Sequence, residues 1–467
     1  MKRVSKVVLS IAILFAFCPT KFAQSEFVYL NTGVAVGNSV AAFSLSADAA
    51  LTEIVGSPFP TGQSGFIDSP ILVVGGFLYV GNSNSLNISA FSINPATGSL
   101  TAVPNSPFAL EGFSYGTIMT LASTPDDRFL MASNVSPGTI TVFRIANDGG
   151  LVPIAASPFR VGEAIYDMKV SPTGRFLAAA LRHRNWILMF RIAVDGTLSA
   201  VPGSPFSSNH DFSFANSVEF NCDGTTLFVG NARNGPPLID AFRVADDGSL
   251  SLVQGSPFTT ATGTDSAHVL LSQNNQYLFA ANFESNTITV FRVTADDSAS
   301  SVSSKPFKVK DDSPGALGLN RTGTILLSGN FGRNQFRKSI SVFSINKEGL
   351  LTHVSGSPFD MGERSYLNNS VSIATYPRRN CLLRIDDVSI SGKKLFVMGS
   401  NFDNGSVILL NGEDQKTSND EQAWTSLLIG KKAGKRVKAG DRISVKTSTG
   451  RLSNEFILNA AQLRKTR

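Results

Sequence analysis

A three-residue string, Ser-Pro-Phe, recurs along this 467-residue chain at a spacing near fifty residues. It occurs at Ser57-Pro58-Phe59, Ser106-Pro107-Phe108, Ser157-Pro158-Phe159, Ser204-Pro205-Phe206, Ser256-Pro257-Phe258 and Ser357-Pro358-Phe359, with a degenerate copy at Lys305-Pro306-Phe307. Successive prolines stand 49, 51, 47, 52, 49 and 52 residues apart. A repeat of this period confines the chain to architectures built from one supersecondary unit, because each unit has an apolar face that only its neighbours can cover.

Residues 168–206 display the unit: two short apolar runs joined by a Pro/Gly turn, then two more joined by an Asp-Gly turn. Such runs between Gly, Asp, Asn and Pro clusters read as strands, and Asp-Gly between them is a hairpin signal because both residues tolerate positive φ. Helical periodicity is absent from the repeats. Each repeat is therefore expected to be a four-stranded antiparallel meander, and the whole a β-propeller. Phe43, Phe91, Phe143, Phe190, Phe242, Phe291 and Phe343 recur in the third strand as core residues. Asn31, Asn82, Asn134, Asn231, Asn282 and Asn330 close the second strand, with Leu181 at that place in one repeat. They are expected to terminate it by bonding their own backbone. Ser-Pro-Phe is expected on the outermost strand, where Pro is tolerated. The chain enters at Phe27–Asn31, which matches a second strand, and Val371–Tyr376 matches a first strand with nothing after it. Pairing of the two would close a ring of seven blades.

The ends of the chain read differently. Lys2, Arg3 and Lys6 precede an apolar run from Val7 to Phe17, with a small-residue site near Ala23. Residues 1–24 are thus expected to be a signal peptide, placing the mature protein in the periplasm or outside the cell, without a transmembrane segment. Cys222 and Cys381 then remain; assigned to different blades, they are expected to be unpaired and incidental. From residue 382 onward fifteen Lys/Arg face nine Asp/Glu, whereas 25–381 hold twenty-two against twenty-six. The overall charge of +6 is therefore no nucleic-acid footprint on the propeller. Residues 382–460 break the repeat into short strands that suit a small β-sandwich, and 461–467 form a basic tail. Lys431, Lys432, Lys435, Arg436 and Lys438 cluster in one loop, a candidate contact for an anionic surface.

Turns joining first to second and third to fourth strands, such as 171–174 and 246–249, are short and stereotyped. The opposite face carries variable loops, where function tends to sit. Arg182, His183, Arg184, His210 and Arg233 lie there as candidate ligand-binding groups. The position before each first strand holds Asp68, Thr120, Asp167, Ser217, His268 and Ala316, expected to ring the mouth of the central channel. His268 and Asp167 are candidate proton-transfer partners, with Asp68, Thr120 and Ser217 as ligand contacts. No metal-binding, nucleotide-binding or nucleophile-elbow motif is present, so no cofactor is expected.

The strings SPTGRFL at 171–177, LFAANFESNTITVFRV at 278–293 and VADDGSL at 244–250 resemble YVTN-type propellers and the lactonase family of seven-bladed propellers. So do Tyr29-Leu30-Asn31 and Tyr79-Val80-Gly81-Asn82. The resemblance implies the fold of 6-phosphogluconolactonase-like enzymes over 27–376, with a histidine at the channel mouth; Ala267-His268 holds that place here. LFVMGSNFDNGSVILLNG and GRLSNEF resemble the IPT/TIG group of immunoglobulin-like domains, which implies a spacer, adhesion or sugar-binding module. Three functions stay open: an exported binding or scaffold protein, a lactonase-like hydrolase acting outside the cytoplasm, and an adhesion module for a polysaccharide. The partner would be a protein, a polysaccharide or a small molecule.

Overall fold

The computed structural model describes residues 25–459 except 33–36, 65–69, 111–116, 137, 182–184, 208–212, 234–237, 260–266, 311–312, 332–338, 362–371 and 379. The expected signal peptide and basic tail lie outside the described residues, and among those described no helix is long and apolar enough to cross a membrane.

Among the described residues, seven antiparallel sheets follow one another, each running first to fourth strand outward from the channel. The third blade shows the pattern: Ile118–Ser123, Phe129–Asn134, Thr139–Ile145, then a fourth strand broken into Leu151–Pro153 and Phe159–Arg160. The ring closes as the sequence implies. Glu26–Asn31 is the second strand of the first blade, and Ile373–Tyr376 supplies its first strand, pairing Phe27 with Tyr376 and Leu30 with Ile373.

The break in the fourth strand explains Ser-Pro-Phe. The Ser-Pro bond is cis at all six full copies, and the serine hydroxyl reaches back to the third strand. There it accepts the N–H of Ala42, Ala90, Val142, Met189, Ala241 or Val342 at 2.8–3.0 Å. A strand amide that would lose its partner at the break is thus satisfied, as a buried donor must be. The phenylalanine resumes pairing beyond the break, as in Phe159 opposite Ile140.

Neighbouring blades lock through aromatics at the second strands. Tyr29 and Tyr79 donate their hydroxyls to the carbonyls of Gly98 and Gly149 in the next blade's last turn, at 2.8 and 2.9 Å. Asn134 accepts the Ser136 N–H at 3.3 Å, as expected, but three other strand-end asparagines act otherwise. Their amides bond across to third-strand side chains: Asn82 to Asn87 and Ser89, Asn282 to Thr287 and Thr289, Asn330 to Ser339 and Ser341. These asparagines are fully buried, so the nearest unpaired hydroxyls claim them before their own backbone does.

Residues after 382 form two four-stranded sheets. Arg384–Ser391, Lys394–Ser400, Leu427–Gly430 and Thr417–Asn419 make one; Glu413–Asp414, Val407–Leu410, Arg442–Lys446 and Phe456–Ile457 make the other. Val388, Val397 and Leu428 of the first sheet share a core with Ile408, Ile443 and Val445 of the second. This sandwich docks on the face of stereotyped turns, which the sequence marks as having little room for a site. Trp424, 2% exposed, leaves the sandwich and enters the apolar core between the sixth and seventh blades. It meets Tyr277 edge-on at 6.3 Å. Around it Gln276 pairs with the backbone of Asn404 in both directions, at 3.0 and 3.2 Å. Arg451 reaches Asp223 at 2.8 Å.

Cys222 and Cys381 are joined in a disulfide, Cα atoms 5.2 Å apart, which overturns the expectation of two unpaired cysteines. The reason is the path of the linker. Cys381 belongs to no blade. The chain leaves the closing strand at Tyr376 in the first blade and passes the third, where Arg378 pairs with Asp127 and donates to the Ser123 hydroxyl, both at 2.9 Å. It then arrives at Cys222 in the turn of the fifth blade. The linker thereby crosses the lower mouth of the channel. Tying residues 159 apart removes much of the freedom of the unfolded chain. A Cys222→Ser/Cys381→Ser double variant is expected to lose about 2–4 kcal/mol in denaturant unfolding. Its far-ultraviolet spectrum should stay that of the native protein.

Candidate functional site

First strands of neighbouring blades make no backbone ladder with one another, so side chains must hold the inner rim. Four of these strands carry a register shift near their start: between Ile118 and Leu121, Ile165 and Asp167, Ala215 and Ser217, and Pro314 and Ala316. A bulge adds a residue to one strand and re-aims the side chain beside it. Here it turns Asp167 and Ser217 towards adjacent blades.

Asp167 is the hub. Its Oδ1 accepts the Thr120 hydroxyl at 3.3 Å and the Met168 N–H at 2.9 Å. Its Oδ2 accepts the Ser217 hydroxyl at 3.2 Å and the Val218 N–H at 3.0 Å. The Ser217 oxygen in turn accepts the Val269 N–H at 3.2 Å. Four consecutive blades, the third to the sixth, are tied by this chain. Thr120 and Ser217 are buried and Asp167 half-buried. An ionised carboxylate offers about four acceptor positions, and four donors occupy those of Asp167.

His268 sits half-buried in the first strand of the sixth blade, next to Val269 and paired with Ala281. The four donors to Asp167 do not include it. The structure thus brings Thr120, Asp167, Ser217 and the backbone beside His268 into one belt. Asp68, Arg182, His183, Arg184 and His210 lie outside the described residues. Arg233 ends the strand Thr226–Arg233, its backbone opposite Ser213. His353 has a packing role: its ring lies 4.3 Å from Phe343, and burial pushes its pKa below the ordinary value.

Two features escaped the sequence reading. The turn Ser272–Gln276 replaces the common Pro-Thr-Gly pattern with amides, all five residues buried beneath the sandwich. The basic loop is larger than its own segment. Ala433–Lys435 forms a 3-10 turn anchored by buried Ala433, and the Gly434 N–H bonds to the Lys393 carbonyl at 3.1 Å. Exposed Lys393 and Lys394 thus join Lys431, Lys432, Lys435, Arg436 and Lys438. Among the described residues none of the seven forms an ion pair with a carboxylate. Only the seam between the two strands betrays this in the sequence, as a second Lys-Lys pair some forty residues upstream.

Comparison with known proteins bears on the ring. The family described as lactonase, 7-bladed beta-propeller, matches residues 119–205 and 204–310, the third to sixth blades that the Asp167 belt joins. The match thus spans four of the seven blades. A candidate 6-phosphogluconolactonase from Bacteroides fragilis superposes with a TM-score of 0.59 at 20% identity, covering 77% of this chain and 99% of that one. Another from Bacteroides uniformis gives 0.60 at 20% identity, covering 75% and 99%. The periplasmic gluconolactonase of Pseudomonas aeruginosa gives 0.55 at 16% identity, covering 75% and 99%. At such identities the likeness is one of fold. No curated protein matches the chain.

The belt makes a definite demand on stability. Asp167→Ala would strip two hydroxyls and two amides of their acceptor, at about 1–3 kcal/mol for each buried donor left unpaired. The expected result in denaturant unfolding is a loss at least as large as one such donor. Asp167→Asn, which keeps an acceptor oxygen, should lose less.

Proposed function

We propose that this chain is an exported binding protein, in which a rigid propeller presents one face of variable loops and the docked sandwich adds a second contact surface. The observation that carries this reading is the occupancy of Asp167. A general base needs a lone pair free for the substrate's proton, and this carboxylate spends its acceptor positions joining blades. It serves as a clamp that holds the channel mouth in shape. Export rests on the expected signal peptide and agrees with a disulfide between the fifth blade and the linker.

Lactone hydrolysis is the second reading. It is favoured by the lactonase-type fold and by His268 at the inner rim, the position from which a general base would act. A panel of five- and six-membered lactones offered to the mature protein separates the two readings. Binding without turnover is the outcome expected. Turnover abolished by His268→Ala would replace the binding reading with the enzymatic one.

The seven cations of the sandwich favour an anionic polymer as the partner of the second surface, because exposed, unpaired lysines give up little to meet it. The sandwich's likeness to IPT/TIG modules agrees with such a role. On an array of acidic and neutral polysaccharides, retention of acidic members that fades with added salt is expected. The variant Lys431→Glu/Lys432→Glu/Lys435→Glu should lose it, and retention unchanged in that variant would sink the assignment.

A further inference from the structure

The disulfide between the ring and the linker forms part of the wall of a cavity of about 450 Å³ at the lower mouth of the channel. That volume is ordinary for a small-molecule site. Cys222 and Cys381 are both half-buried, and both line it. Lys169 lines it too and, among the described residues, takes part in no hydrogen bond or ion pair. Glu219, a further lining residue, is buried and engaged with a partner of its own.

Contacts that do not involve the S–S bond hold each cysteine in place. On the ring side the Cys222 N–H donates to the Asn275 side chain at 2.7 Å, and Asn275 donates to Asp223 at 3.0 Å. On the linker side Asn401 donates to the carbonyls of Asn380 and Leu382, both at 2.9 Å. Arg451 joins the two sides. It pairs with Asp223 at 2.8 Å and donates to the Cys381 carbonyl at 2.7 Å. Its Nη1 is buried without a partner. The Cys222 sulfur lies 3.1 Å from the Gln273 carbonyl, an acceptor ready for a thiol. Opening the bond therefore leaves both sulfurs near one another, Cys222 beside an acceptor and Cys381 beside a cation with a donor to spare.

We propose that Cys222–Cys381 is a thiol–disulfide exchange site for small thiols admitted through this cavity. A guest thiolate attacks the Cys222 sulfur, the S–S bond breaks, and Cys381 leaves as a thiolate favoured by the charges of Arg451 and Lys169. A second guest thiolate attacks the guest sulfur of the mixed disulfide and releases Cys222 together with the guest disulfide. Two electrons thus pass from two guest thiols to the protein, and the two cysteines take up the two protons. The reverse sequence re-forms the bond, and the standing contacts keep the sulfurs in register for it. This site stands apart from the upper mouth and does not rest on the function proposed above.

The test is reduction of the mature, oxidised protein by mercaptoacetate without denaturant, read by alkylation of free thiols. The rate is expected to rise in proportion to mercaptoacetate, with two thiols appearing per chain and the near-ultraviolet spectrum staying native. The disulfide of mercaptoacetate should restore the bond. A bond that opens only when the protein unfolds would instead show a rate that levels off at the unfolding rate. Lys169→Met should slow reduction about threefold, the size expected when a leaving thiolate loses one neighbouring cation. Cys381→Ser, exposed to the disulfide of mercaptoacetate, should carry a mixed disulfide at Cys222 in peptide mass spectrometry. A levelling rate, no reduction without denaturant, a Lys169→Met protein that reacts as the parent does, or no adduct at Cys222 would each overturn the proposal.

Discussion

The pairing of Phe27–Leu30 with Ile373–Tyr376 is the contact on which the rest of the molecule depends. A propeller blade has two faces, and an open ring would leave a blade face at each end in water. Antiparallel hydrogen bonds between the two ends of the repeat region remove both edges at once. Closure also decides where the chain goes next. The last strand of the ring is an innermost one, so the chain emerges at the channel and not at the rim. A short linker from that point must cross the underside of the ring, and Arg378 and Cys381 are placed by that geometry.

The two mouths of the channel are consequently unlike. At the upper one side chains join the blades, and Asp167 ties the third, fourth and fifth together. Bulges in the first strands make it possible, since a regular strand would not aim both Asp167 and Ser217 at their neighbours. At the lower one the linker, the disulfide and the sandwich lie against the ring. Trp424 makes the docking firm: a large aromatic buried between two blades gains far more than the surface ion pairs around it. The sandwich is therefore a fixed part of the molecule, and the basic surface it carries keeps a constant direction relative to the propeller.

Much of this was legible in the residues. Strand order, blade number and the shared first blade follow from the Ser-Pro-Phe period and from the incomplete units at 27–31 and 371–376. The ring positions Thr120, Asp167 and Ser217 could be aligned because every repeat has an equivalent. What each does there could not. Asp167 looks like a titrating group in a list of residues, and only its four donors reveal a clamp. Cys222 and Cys381 were misjudged for a related reason: repeat phase places Cys222, but Cys381 lies beyond the last repeat, where phase has nothing to say. The same holds for Trp424, whose strand-like context hides a side chain that leaves its own domain.

Taken alone, the amino-acid sequence determined the unit, its number and the closure of the ring, because local turn chemistry and apolar alternation repeat and each copy confirms the others. Tertiary structure alone decided the disulfide, the docking of the sandwich on the plain face and the saturation of Asp167. Those depend on contacts between residues far apart in the chain, and their partners are chosen by the path of the backbone through space, which no local pattern encodes.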